Sequence, residues 1–127
     1  MQKSAMPKER RAKRRALRSA LRRRAAQTRL VTSVRRRPRS LASHLLAAGV
    51  EREVASGAAN GLRTVAKRLN VVPAATGLTR RTVNGGRGPL RTVARYSRAQ
   101  LVALMATYRP RKSEYIAARA LVLGLAA

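Results

Sequence analysis

Apolar side chains recur at helical spacing in several stretches of this chain. Leu41, His44, Leu45 and Ala48 share one face, with Ser40 placed to cap the helix start and Gly49 to end it. Val50 to Ala59 predicts a second short helix whose first turn carries Glu51 and Glu53, where the helix dipole favours carboxylates. Asn60-Gly61 predicts a turn. Leu62, Val65, Ala66 and Leu69 then fall at i, i+3, i+4 and i+7, the pattern of an amphipathic helix. Ser97-Arg98-Ala99-Gln100 fits a capping box, and Leu101, Leu104, Met105 and Tyr108 form the apolar face of the helix it opens. Pro110 ends that helix. Ser113 caps a last one, Glu114 to about Leu125, with Ile116, Ala120 and Leu123 facing inward.

Two regions break this pattern. Residues 79–83 and 90–96 flank Asn84-Gly85-Gly86-Arg87-Gly88-Pro89. The second flank is rich in strand-forming residues and the middle has turn chemistry, so a β-hairpin fits. From Lys8 to Leu30 only Ala16/Ala20 and Leu17/Leu21 fall at helical spacing, a stripe too thin to hold a core. This segment is expected to be disordered or fluctuating alone and helical on a polyanion. Arg35-Arg36-Arg37-Pro38-Arg39 closes it, and Pro38 stops any helix. The organisation that results is a basic arm over residues 1–39 and a domain over residues 40–127. The expected fold class is mainly α: a small helix-turn-helix-like domain, with room for a short β-hairpin wing, behind a basic N-terminal arm.

Composition adds the partner. The chain has 127 residues, of which 30 are Lys or Arg and four are Glu, giving a net charge of +26. Residues 1–40 hold 16 basic residues and one acidic one, so the arm is the more charged half. Self-repulsion on this scale opposes compaction unless a polyanion is present. Nucleic acid is the usual polyanion, because each neutralised phosphate releases condensed counterions. Twenty-five of the thirty are Arg, whose guanidinium forks onto phosphate and onto guanine edges. With three Tyr, no Phe and no Trp, the core must be aliphatic and modest, and stacking on single strands is disfavoured.

The stretch Thr64 to Val83 carries the reading motif, in either of two registers. In one, Ala66 is the small residue of a first helix, Asn70 the left-handed turn residue and Val71 the apolar anchor, and Pro73 starts the recognition helix. In the other, Thr76-Gly77-Leu78 is the turn and Thr79 to Val83 opens the recognition helix. The order of helix-turn-helix, Gly-rich turn and Arg95-Tyr96-Ser97-Arg98-Ala99-Gln100-Leu101 resembles the MerR-type and phage-excisionase-type winged helices. In those families wing and recognition helix bind DNA. The resemblance implies that Arg80, Arg81 and Thr82 face the major groove and that Arg87 and Arg91 lie on the wing. Lys67 and Arg68, in the preceding helix, join the phosphate contacts. In the arm, Arg14 and Arg15, Arg22, Arg23 and Arg24, and Arg35, Arg36 and Arg37 supply sequence-independent contacts.

These features point to a DNA-binding protein, a transcriptional regulator or a recombination accessory factor of a mobile element, cytoplasmic and nucleoid-associated. The alternative is a structural RNA-binding protein associated with the ribosome, since basic arms suit RNA backbones equally well. A homodimer through the C-terminal helices is a further expected partner. Enzymatic function, cofactors and metals are not expected. One His, no Cys and no Asp cannot assemble a metal cluster, Gly85 to Gly88 lacks the Lys-Ser/Thr of a phosphate loop, and His44 on an apolar face reads as structural. No apolar run is long enough to span a membrane.

Overall fold

The computed structural model describes residues 7–126; the side chains of Arg81, Thr82, Val83 and Ala126 lie outside that description. The order is α1 (Lys8–Arg36), α2 (Leu41–Ala47), α3 (Arg52–Arg68), β1 (Ala75–Val83), β2 (Gly86–Arg95), α4 (Arg98–Thr107) and α5 (Ser113–Ala126). The protein is therefore mainly α with one antiparallel hairpin, as the sequence pattern predicts.

Helices α2 to α5 pack around Leu41, Leu45, Leu62, Leu104 and Met105, all fully buried. α3 is the centre of this body, in contact with α2, α4 and α5. Small residues on α3 let its neighbours approach: the Tyr108 ring lies where a Cβ on Gly61 would stand 3.1 Å from its hydroxyl, and Tyr115 covers Gly57. Asn60-Gly61, predicted as a turn, lies inside the continuous helix α3. Ala55, Ala58, Ala59, Leu62, Val65 and Ala66 are buried on both sides of it, and that continuous apolar face overrides the local turn preference.

The same C-terminal motif ends α2 and α3. Val50 N–H donates to the Leu45 carbonyl and Gly49 N–H to Leu46, with Gly49 at φ 92°. Val71 N–H donates to Ala66 and Asn70 N–H to Lys67, with Asn70 at φ 53°. Both are Schellman caps, the left-handed residue turning the chain so that orphan carbonyls are satisfied. The capping box of α4 is present, with Gln100 N–H on the Ser97 hydroxyl and Ser97 N–H on Gln100 Oε1. The amide of Gln100 also donates to the Val72 carbonyl at 2.7 Å, which ties the chain leaving α3 to the start of α4. Arg119 caps α4 through the Met105 carbonyl and Arg98 caps α5 through the Leu125 carbonyl.

α5 is rotated from the predicted orientation. Ala118 and Val122 are buried, whereas Ile116 is 50% exposed, Ala120 is exposed and Leu123 is half-buried. A helix apolar on nearly all sides gives no periodicity from which to read its inner face.

α1 is continuous for 29 residues, about 43 Å at the α-helical rise. Between Lys8 and Arg29 every residue but Ser19 is exposed, while Val34 is buried and Leu30, Val31 and Ser33 are half-buried. Gln27 donates to the carbonyls of Leu46 and Ala47 at 2.9 and 3.2 Å. The last turns of α1 thus belong to the packed body, and the rest projects from it. Pro38 lies just past the helix end, as expected.

Candidate nucleic-acid interface

The hairpin begins where both registers of the sequence motif place a recognition helix. After Asn70 the chain carries no regular structure until β1 starts at Ala75. No helix starts at Pro73; residues 71–74 are irregular and lead straight into the strand. Asn84 and Gly85, at φ 50° and 77°, make the two-residue turn with both central residues left-handed that matches strand twist. This strong hairpin nucleus pairs residues 75–83 with 86–95. The register slips by one residue between Arg80↔Leu90 and Thr82↔Arg87, leaving Gly88-Pro89 as a bulge where the missing proline N–H is tolerated. Arg80, Arg81 and Thr82 are therefore strand residues. They do not lie on a helix, which corrects the recognition-helix assignment. Arg80 is exposed, and the side chains of Arg81 and Thr82 lie outside the described residues.

Pairing sorts the hairpin into two faces. Thr79 and Arg91, Gly77 and Val93, and Ala75 and Arg95 share one; Arg80 and Leu90, Leu78 and Thr92, and Thr76 and Ala94 share the other. Arg95 lies across Gly77, whose missing side chain leaves the guanidinium its place. The strands reach about 30 Å at the usual rise. Tip residue Arg87 is exposed, as are Leu78 and Leu90, whereas at the base Ala75 and Ala94 are half-buried and Tyr96 is buried.

The base is pinned by a single bridge. Arg39, between α1 and α2, pairs with Tyr96 through two backbone hydrogen bonds of 3.0 and 2.8 Å. The Tyr96 carbonyl also accepts from His44 Nε2 at 2.7 Å. A carbonyl only accepts, so the Nε2 nitrogen carries the proton. Burial pushes the His44 pKa below its ordinary value, against the raising effect of this bond, and the charges of Arg39 and Arg98 push it the same way as burial. His44 is thus structural, 3% exposed and holding α2 to the end of β2.

This anchoring leaves an open groove of about 620 Å³ between the hairpin, α3 and the start of α2. Five arginines line it: Arg39, Arg52 and Arg63, then Arg91 and Arg95 from β2. Ser40, Ser43, Thr79 and Thr92 add hydroxyls, and no carboxylate is among the lining residues. Arg52 and Arg63 are eleven residues apart, close to three whole turns, so one stripe of α3 faces the hairpin. Arg63 donates to Asn60 Oδ1 at 2.6 Å, which fixes its fork along the exposed face. That face continues through Ser56, Asn60, Thr64, Lys67 and Arg68, all exposed. Crowded guanidiniums without a counter-charge repel one another until an anion enters, and their forked donors match phosphate oxygens.

Of the residues singled out in the sequence, the structure brings Arg91 into the groove, places Lys67 and Arg68 on the neighbouring exposed face of α3, and sets Arg87 at the hairpin tip. Arg14, Arg15, Arg22, Arg23 and Arg24 project on the free part of α1, and Arg35, Arg36 and Arg37 cluster exposed at its end. Arg39, Arg52, Arg63 and Arg95 were outside the sequence prediction. Gly49, the turn residue between two periodic stretches, is the signal that would have directed attention to α3.

No protein-family model matches the chain, and neither a curated protein nor a solved structure matches it significantly. None of the described helices is long and apolar enough to cross a membrane.

Proposed function

We infer that this protein binds duplex DNA, with α3 as the reading helix, the hairpin as a wing beside it and α1 as a basic arm. The observation that carries the reading is the five-arginine groove between α3 and the hairpin. The order α2, Gly49 turn, α3, hairpin, with Arg39 bridging to the hairpin base, resembles a winged helix-turn-helix one helix upstream of the expected position. In this arrangement Ser56, Asn60, Arg63 and Lys67 face base edges. The groove arginines straddle the adjacent phosphates, and α1 adds contacts blind to sequence. A role in transcription control or as an accessory factor in recombination fits sequence-specific binding.

Dimerisation belongs to the same proposal. The outer face of α5 carries Ile116, Ala117, Ala120 and Leu121, all exposed, without a charge among them. A second copy placed there would present two reading helices to two half-sites. Sedimentation of wild type and Leu121→Arg checks this, with loss of a dimer expected in the variant.

Random-site selection tests the main reading, together with binding curves for Arg63→Ala and Arg80→Ala against duplex DNA and structured RNA. Arg63→Ala is expected to cost about 1–3 kcal/mol on the selected site and to relax selectivity at one position. Arg80→Ala is expected to weaken all duplexes alike. Failure of the wild type to enrich any site, with structured RNA bound more tightly than duplex, would replace this reading with that of an RNA-binding protein.

A further inference from the structure

A pocket of about 270 Å³, open to solvent on one side, lies between α1 and the body and shares no lining residue with the arginine groove. Its walls come from four helices: Val31 and Val34 of α1, Leu101 and Val102 of α4, Val122 and Leu125 of α5, and the end of α2 through the Gly49 turn. Two donors of the wall are already engaged. The Gln27 amide donates to α2 carbonyls, and His44 Nε2 donates to Tyr96. Two cations complete the lining, exposed Arg35 and half-buried Arg98, and no carboxylate accompanies them among the lining residues. Arg98 spends one N–H on the Leu125 carbonyl and retains the rest of its fork.

An apolar chamber with guanidiniums and no acid is complementary to one class of ligand: an apolar body ending in a carboxylate. We propose that this pocket binds a small amphipathic organic anion, a medium-chain or aromatic carboxylic acid, with its apolar part among the Val and Leu side chains and its carboxylate on Arg98 and Arg35. The inference is independent of the nucleic-acid reading. Its consequence is mechanical: the ligand would touch α1 and the α2–α3 turn at once and so fix the arm against the body.

Methyl-detected NMR titrations of the full chain with sodium decanoate, decanol and sodium acetate test the proposal. Decanoate is expected to shift the Val34, Val102, Val122 and Leu101 methyls to saturation at one equivalent. Acetate should leave them unmoved. Decanol should bind about tenfold or more weakly, as loss of a charge-assisted hydrogen bond implies. Arg98→Met should reduce decanoate affinity by a similar factor and leave decanol unchanged. Val102→Trp, which fills the chamber, should abolish the saturable shifts; should that variant misfold by circular dichroism, Val31→Phe fills it from α1. Unmoved Val34, Val102, Val122 and Leu101 methyls under decanoate would overturn the proposal. So would equal affinity for decanol and decanoate, or binding that survives a folded, filled variant.

Discussion

Replacing Leu62 with alanine should unfold much of this protein, and the size of the effect is set by where Leu62 lies. It is 0% exposed on α3, the helix that touches α2, α4 and α5. The substitution removes three carbons, which at about 0.8 kcal/mol per buried CH₂ amounts to about 2.4 kcal/mol of lost transfer energy. Helices on several sides cannot all move inward together, so a cavity remains, and buried Leu→Ala changes with such cavities cost about 3–5 kcal/mol. Ile116→Ala is the paired control. Ile116 is 50% exposed on α5, so its removal should cost at most about 1 kcal/mol. Urea melts monitored by tyrosine fluorescence measure both, because all three tyrosines lie in the body and the free part of α1 has none. A Leu62→Ala cost below that of Ile116→Ala would refute the packing described. A large cost for Ile116→Ala at low protein concentration would restore the predicted inward face of α5.

Because His44 is harder to protonate folded than unfolded, stability should be full above about pH 6.5 and fall as pH drops from there towards the lowered folded pKa, and chemical melts of wild type and His44→Gln should differ in this window. Deleting residues 1–26 should leave the melt intact and make log K less steep in log salt, by about 0.9 for each phosphate the arm no longer neutralises. Deleting residues 1–39 should also destabilise the body, by removing buried Val34 and the Arg39 bridge. Gly77→Ala should displace the Arg95 guanidinium and weaken DNA binding with little change in melting, as read by paired binding and melting curves. Gly85→Val puts a β-branched residue at φ 77° and should lose the hairpin amide pattern in NMR spectra while α2 to α5 persist.

The helices were legible in the sequence wherever one face only was apolar. Ser40, Gly49 and the Ser97–Gln100 box mark their ends where the structure has them. Asn70 was legible as a left-handed residue, but a left-handed residue closes a helix without specifying the next element. Here the Asn84-Gly85 turn directed the chain into a hairpin instead of a second helix. The groove was illegible because its arginines come from positions 39, 52, 63, 91 and 95, and only the Arg39–Tyr96 bridge and the α3 stripe bring them together. Charge density drew attention to the consecutive arginines of the arm, while the convergent ones are isolated in sequence.

The Arg39–Tyr96 bridge also sets an order of assembly. The hairpin is a local structure, and hairpins close in about 1–10 μs. Its base, however, joins residues 57 positions apart, a long loop whose closure is entropically opposed until α2, α3 and α4 have condensed. The groove therefore comes into being at the end of folding, whereas the charge of α1 is available from the moment the N-terminus is synthesised. On the DNA-binding reading proposed above, the arm would meet polyanions before the groove that chooses among them exists, and selectivity would belong only to the folded protein.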